Sequence, residues 1–238
     1  MNKTLSVVIP VFNEKDTILK ILERVEKVSL SGLEKEIIIV DDCSTDGTVE
    51  ILRNLSNVRS TGRLKIFFQE SNQGKGAALR RGFRETSGDY IIVQDADLEY
   101  DPREYPLLLC PLTEGRADVV YGSRFTGNQP RRVLFFWHYV GNKLLTLLSN
   151  MLTDLNLTDM ETCYKAFTKE ALAKVQDKLV SNRFGFEPEV TARMAQSRLR
   201  IFEVGISYNG RTYAEGKKIN WKDGISAVWV IIKSNLFS

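Results

Sequence analysis

Histidine is nearly absent from this 238-residue chain, which has only His138. One imidazole cannot build a His-based zinc or protease site, so chemistry of that kind is excluded. Cysteine is scarce as well. Cys43, Cys110 and Cys163 form an odd, scattered set without C-x-x-C spacing, which argues against a disulfide framework or a structural zinc site and leaves reduced thiols as the expectation. Charge of one sign is lacking too: 33 Lys and Arg against 30 Asp and Glu give a net +3, with no general polyanion-binding signal, so nucleic acid is not an expected partner. No uninterrupted apolar run approaches the roughly 20 residues that a spanning helix needs. The N-terminus, Met1-Asn2-Lys3-Thr4, runs straight into an apolar segment without the h-region and cleavage site of a signal peptide, so the chain is expected to stay in the cytosol.

What is present is a chain 43% hydrophobic and long enough for one substantial core, without an internal repeat or a low-complexity linker. Apolar, β-branched runs at Leu5–Pro10, Glu36–Val40, Leu64–Phe68, Tyr90–Val93 and Asp118–Tyr121 read as buried strands. Helical periodicity fills the gaps at Asp16–Val28, Thr48–Leu55, Lys75–Thr86 and Pro102–Leu112. Alternation of this kind predicts an α/β fold with a mainly parallel sheet and right-handed crossovers. After Gly122 the alternation stops. An Arg-rich stretch leads into apolar residues from Val133 to Leu152, interrupted at Gly141-Asn142-Lys143 and Ser149-Asn150. That segment and Ile225–Ile232 are read as interfacial or buried helices, with Trp137 and Tyr139 suited to a headgroup boundary and Arg131 and Arg132 to anionic lipid. The expected organisation is a single domain, residues 1–238, with a nucleotide-binding half (1–122) and an acceptor-binding half (123–238).

Ligands of open parallel sheets bind beyond the carboxyl ends of the strands, and here those ends are acidic. The first strand exits through Pro10-Val11-Phe12-Asn13-Glu14, the second through Asp41–Gly47 and the fourth through Gln94-Asp95-Ala96-Asp97-Leu98-Glu99. Three carboxylate clusters at one edge repel one another unless a cation or hydrogen-bond donors offset them. Asp95-x-Asp97 is the sharpest candidate, because alternate residues leaving a strand can aim two oxygens at a hard divalent ion that also grips a pyrophosphate. The competing reading is a turn or helix cap, as at Asp101-Pro102. Asp42 and Asp46 each suit either a nucleotide contact or the cap of the helix near Thr48, with Asp42 favoured for the nucleotide and Asp46 for the cap. In Asn72-Gln73-Gly74-Lys75-Gly76 the glycines permit close backbone approach and Lys75 can meet a phosphate. The loop lacks the Ser or Thr of a P-loop and the third Gly of a dinucleotide fingerprint. Further along, Thr158–Lys165 carries Asp159 and Glu161, and Phe186-Glu187-Pro188-Glu189 adds another acidic pair; either could be a capped helix start. Asn209–Lys218 concentrates cations around two glycines after an apparent strand, Arg200–Ser207.

Taken in order, these segments resemble the family 2 glycosyltransferases, and among them the polyprenyl-phosphate (dolichyl-phosphate) glucosyl- and mannosyltransferases. The resemblance spans nearly the whole chain and rests on Val8–Glu14, Val40–Gly47, Asn72–Gly76, Asp95–Asp97, Gly122–Arg124, Thr158–Lys165 and Gly210–Lys218. It implies a GT-A-like α/β/α sandwich. Pro10, Val11, Asn13, Glu14, Asp42, Asp46, Lys75, Asp95, Ala96 and Asp97 would serve the nucleotide sugar, and Asp95 and Asp97 would hold Mg²⁺ or Mn²⁺. Arg124, Arg131, Arg211 and Lys217 would face phosphates.

The expected reaction is an in-line displacement at the sugar C1 that inverts its configuration. A polyprenyl phosphate is already ionised at neutral pH and needs positioning by cations more than a base. A hydroxyl acceptor would need a general base, with Asp159 the first candidate and Glu161 the second. Asp97 and Arg124 complete the catalytic set. UDP-glucose is the favoured donor by resemblance and GDP-mannose the other. The protein is expected at the cytoplasmic membrane face, peripherally held or bound to a membrane-protein partner. The alternatives are transfer to a glycan or soluble hydroxyl, sugar nucleotidyl transfer, and nucleotide-sugar binding without catalysis. A nucleotidyltransferase would carry a Gly- and Arg-rich loop after the first strand, where this chain has Pro10–Glu14.

Overall fold

The structure is a computed structural model that describes residues 3–58, 62–133, 135–212, 215 and 221–237. Its frame is a seven-stranded sheet of order β3-β2-β1-β4-β6-β5-β7. β1 (Lys3–Val11) lies between β2 (Leu33–Asp41) and β4 (Tyr90–Val93), and β3 (Leu64–Phe68) flanks β2. These pairs are parallel, with Val8 level with Ile38 on one side and Val93 on the other. β1 is buried continuously from Leu5 to Val11, as a strand covered on both faces must be, and its apolar run reflects that. β5 (Val119–Ser123) and β7 (Ile201–Gly205) are parallel to each other and end the sheet.

One strand escapes a sequence reading. β6 (Lys165–Thr168) runs antiparallel between β4 and β5, with Ile91 opposite Phe167 and Val120 opposite Ala166. Because it runs backwards, its N-terminal end lies at the edge where β4 and β5 end. Residues 158–164 are thereby delivered to the same edge as the acidic strand exits, so the second half of the chain contributes to the first half's site.

Between β1 and β5 the connections are helical, as the periodicity predicts. In α1 (Ile18–Lys27) the buried residues Ile18, Ile21, Leu22 and Val25 form one stripe at helical spacing. α2 (Thr48–Val58) leads to β3, and α3 (Lys75–Arg84) packs on β1 and β2. A short 3₁₀ turn at Pro102–Glu104 precedes α4 (Tyr105–Thr113), which covers β5 and β6. After β5 come α5 (Phe136–Thr153), α6 (Lys169–Val175), α7 (Phe186–Gln196) and α8 (Trp221–Leu236); α5, α7 and α8 pack against one another. No helix among the described residues is long and apolar enough to cross a membrane.

Candidate active site

A cleft of about 920 Å³ opens at the carboxyl edge of the sheet, lined by residues from both halves of the chain. Its floor is the exit of β4. Gln94 is fully buried and accepts hydrogen bonds from the hydroxyls of Tyr105 (2.8 Å) and Tyr164 (2.7 Å), while its own amide donates to the Asp95 carbonyl at 3.0 Å. The backbone that presents Asp95 and Asp97 is therefore fixed from beneath. Leu98 takes a left-handed φ of 65°, uncommon for a branched residue, and turns the chain between Asp97 and Glu99.

Four carboxylates meet two cations here. Lys75, at the start of α3, places Nζ 2.8 Å from Asp95 Oδ1. Arg211 reaches Glu14 Oε1 at 3.1 Å and Asp97 Oδ2 at 3.3 Å, and its backbone N–H donates to Glu99 Oε1 at 2.7 Å. Burial together with the Asp95 and Glu99 carboxylates pushes the Asp97 carboxyl up to about 8, with Arg211 only partly offsetting them. Burial works against the charge of Lys75, but Asp95, Cys163 and Glu187 hold its ammonium well above the ordinary range.

Such a site is short of positive charge, and its donors are hard oxygens. Among the described residues no three His, Cys, Asp or Glu side chains converge as a ligand cage. The fit is to a Mg²⁺- or Mn²⁺-type ion that takes one or two carboxylates and completes its shell with phosphate oxygens and water. Asp95 and Asp97 are the residues that would hold it.

Asp42 also lines the cleft, yet its carboxylate already accepts from Gln69 Nε2 (2.7 Å), Asn72 Nδ2 (3.0 Å), Gln73 N (2.8 Å) and Gly74 N (2.7 Å). It thus clamps the loop that leads into α3, a task that the sequence does not reveal. Asp46 stands outside the cleft lining. Its Oδ1 accepts from the Thr48 N–H at 3.0 Å and the Thr48 hydroxyl at 2.6 Å, which is the cap of α2. Asn13 is likewise off the lining: it has φ 53°, and its side-chain oxygen accepts from Thr45 N at 2.7 Å, tying the first strand exit to the second. Pro10, Val11, Glu14 and Ala96 line the cleft.

The two glycines beside Lys75 do serve close approach, but to the protein's own backbone. A Cβ on Gly74, whose φ is +103°, would sit 2.5 Å from the Asn182 carbonyl oxygen, and one on Gly76 would sit 2.4 Å from that of Ser181. Ala77 N donates to Asn182 O at 3.0 Å, so the start of α3 is joined to the segment that opens α7.

In the second half, Arg124 lines the cleft and Asp159 lies behind it, fully buried. Asp159 accepts from Arg124 Nε and Nη2, each at 2.7 Å, and from its backbone N at 2.9 Å. Such a bidentate pair aims the guanidinium and engages both Asp159 oxygens. Glu161 does line the cleft; burial and the charge of Glu187 raise its carboxyl to about 7, and its Oε1 finds no hydrogen-bond partner among the described residues. Arg131 falls instead on an adjoining depression of about 320 Å³, with Arg24 and Arg132, which shares Glu99, Tyr100 and Tyr208 with the cleft. Lys217 lies outside the described residues. Glu99 and Tyr208 bond to each other at 2.7 Å and form the wall beside Arg211; Glu99 stood in the acidic exit read from the sequence but was given no role, and Tyr208 was missed.

Comparison with known proteins bears on the same region. The chain is 28% identical over 216 residues to a dolichol-phosphate mannosyltransferase of Pyrococcus furiosus, covering 90% of this chain and 60% of that protein. It is 29% identical over 214 residues to the undecaprenyl-phosphate 4-deoxy-4-formamido-L-arabinose transferase of Proteus mirabilis, covering 89% and 62%. With the low-salt glycan biosynthesis hexosyltransferase Agl6 of Haloferax volcanii the identity is 32% over 210 residues, covering 87% and 48%. The chain thus spans 48% to 62% of the length of these relatives. Among solved structures, glucosyl-3-phosphoglycerate synthase of Mycobacterium tuberculosis, crystallised with Mn²⁺, UDP and phosphoglyceric acid, superposes with TM-score 0.74 at 22% identity over 99% of this chain and 80% of that one. The same enzyme with Mg²⁺ and UDP gives 0.71 at 22% identity, over 98% and 79%. These structural likenesses establish the GT-A-type fold. The model of "Glycosyl transferase family 2" matches residues 6–176, and the chain is a member of that family of enzymes.

Proposed function

We propose that this glycosyltransferase moves a hexose from a nucleotide sugar to a polyprenyl phosphate at the cytoplasmic face of a membrane, with inversion at C1. The observation that carries the reading is the cleft itself: a carboxylate pair on its floor, four cations around it (Lys75, Arg124, Arg183 and Arg211), and a mouth formed by α5 and α8. Relatives named for dolichol-phosphate and undecaprenyl-phosphate substrates support the acceptor. UDP with Mn²⁺ or Mg²⁺ in the structural neighbours supports a uridine donor and so ranks UDP-glucose ahead of GDP-mannose.

Asp95 and Asp97 would hold Mg²⁺ or Mn²⁺, which would supply positive charge to the diphosphate leaving group. Pro10, Val11, Glu14, Asp42 and Ala96 line the donor's side of the cleft, and Lys75 meets a donor phosphate. Arg124, aimed by Asp159, and Arg211 orient the acceptor phosphate and offset its charge, so that its oxygen attacks C1 from the face opposite the diphosphate. No base is needed for an acceptor already ionised. We assign one domain to residues 1–238, with the donor served mainly from 1–122 and the acceptor from 123–238; the single sheet drawing strands from both halves supports this.

α5 favours membrane contact. Only Thr146 and Ser149 of its 18 residues are buried, while Trp137 is 78% exposed and Leu144, Leu147 and Met151 are exposed with it. Trp229 on the adjacent α8 is 60% exposed. An apolar surface around a cleft mouth suits an acceptor whose tail lies in lipid.

Glu161 favours a second reading, transfer to a hydroxyl. A carboxyl held near 7 in the cleft is suited to proton transfer, more so than Asp159, whose oxygens hold Arg124. Release of nucleoside diphosphate from UDP- and GDP-sugars, measured with Mn²⁺ or EDTA and with or without short-chain polyprenyl phosphate, separates the two. Metal-dependent release stimulated by the lipid is the expected result; release stimulated only by sugar alcohols, and lost in Glu161→Gln, would replace the first reading with the second.

A further inference from the structure

The phosphate-facing cation assigned above is engaged elsewhere in this structure. Lys75 Nζ lies 2.8 Å from Asp95 Oδ1 and 3.0 Å from Oδ2, on the oxygens that a divalent ion requires. Asp95 cannot serve both at once. When it becomes a metal ligand Lys75 must leave it, and a partly buried ammonium, its side chain 23% exposed, that loses its counter-charge is unfavourable. A second acceptor has to be within reach.

Glu187 meets that need. Its Oε1 is 3.5 Å from Lys75 Nζ, beyond good hydrogen-bond length, and is buried with no hydrogen-bond partner among the described residues. Its Oε2 is held by Lys165 Nζ. Lys165 is fully buried, and its ammonium also donates to the carbonyls of Met160, at 3.1 Å, and Thr162. The side chains Lys165, Glu187, Lys75 and Asp95 thus form a line of alternating charge from the core to the candidate metal site. Its spacing is set by backbone, because Gly74 and Gly76 allow α3 to contact residues 181–183 directly, one turn before Glu187.

We propose that Lys75 is handed from Asp95 to Glu187 when Asp95 becomes a cation ligand, and that Lys165 is the positioning residue that keeps Glu187 placed to receive it. The proposal rests on the assignment of Asp95 to metal binding. It explains why a lysine stands in an open cleft beside two carboxylates, and why a charged pair is buried behind it at a cost that an apolar pair would avoid. In the metal-free protein Lys75 neutralises Asp95. In the loaded protein it sits on Glu187, within reach of the diphosphate, and the line stays balanced throughout.

The test is Mn²⁺ binding followed by electron paramagnetic resonance, with and without UDP. Glu187→Gln removes the receiving charge, leaves Lys75 competing for Asp95, and is expected to raise the Mn²⁺ dissociation constant about 10–100-fold. Lys75→Met removes the competitor and is expected to tighten Mn²⁺ binding without UDP; in that background Glu187→Gln has no further effect. Because Glu187→Gln strands the buried Lys165 charge, the double variant E187Q/K165M, which removes both charges together, is measured beside it and shows the same loss. Equal weakening by Glu187→Gln with and without Lys75, or no weakening in either, overturns the handover while leaving the metal assignment intact. Absence of Mn²⁺ binding to the unaltered protein, with or without UDP, overturns both, so the two failures are distinguished.

Discussion

Replacing Asp97 by Asn should make the metal-free protein more stable and the enzyme nearly inactive. The Asp97 carboxyl is pushed from 3.8 to about 8 by burial and by Asp95 and Glu99. At about 1.36 kcal/mol per pH unit, keeping it ionised costs the fold at most about 6 kcal/mol. Asparagine removes that cost and keeps an oxygen able to accept from the Glu99 N–H, now 3.1 Å from Asp97 Oδ1. It also weakens the contact with Arg211, so a net gain of about 1–3 kcal/mol is expected, or about 3–9 °C in Tm for a chain of this size. The sign depends on pH in a definite way. The folded-state carboxyl binds its proton more tightly than the unfolded one, so the penalty is absent below about pH 4, grows with rising pH, and is complete above about pH 8. Thermal melts in EDTA at pH 5 and pH 8.5 should therefore show a small gain and a large one. Transfer activity with Mn²⁺ should fall at least about 100-fold. A variant less stable than the wild type at pH 8.5, or one whose gain does not shrink at pH 5, would refute the electrostatic reasoning; full transfer activity would refute the metal assignment.

Three further expectations follow from the same geometry. Gly76→Ala forces a Cβ to within 2.4 Å of the Ser181 carbonyl and should cost about 1–3 kcal/mol in urea unfolding; a neutral result would mean that the α3–α7 junction is looser than described. Arg124→Ala leaves the fully buried Asp159 uncompensated and should cost about 3–5 kcal/mol, most of which the added change Asp159→Asn restores; a double variant no more stable than the single would show that the pair is not the source of the loss. The double change Met151→Glu and Trp229→Glu, on exposed positions outside the cleft lining, should lower partition onto vesicles containing anionic lipid more than tenfold while sparing activity on a water-soluble short-chain acceptor; unchanged partition would remove α5 and α8 from the membrane contact.

The strands β1 to β5 and the helices between them were legible because both faces of a central parallel strand are apolar and α1 buries a regular stripe. β6 was not. It has four residues, and its first is a lysine whose burial makes sense only with Glu187, which comes 22 residues later. α7 was legible only as a possible capped helix start: its stripe Phe186, Val190 and Met194 is interleaved with Glu187 and Glu189, which are buried as well and blur the apolar pattern. At the site, residue types and their place after strands were enough to bring Glu14, Lys75, Asp95, Asp97 and Arg211 to one cleft. Sequence alone could not tell a carboxylate that is open from one already spent, which is why the clamp made by Asp42 and the pairing of Asp159 with Arg124 emerge only in three dimensions.

The central claim is tested most directly by isolating the lipid product formed from the active nucleotide sugar, Mn²⁺ and a short-chain polyprenyl phosphate, and reading its anomeric configuration by NMR. The account predicts a hexose linked through phosphate to the lipid, with the configuration at C1 opposite to that of the donor, and no product in EDTA. A product that retains the donor's configuration, or a sugar attached only to a hydroxyl acceptor, would contradict it.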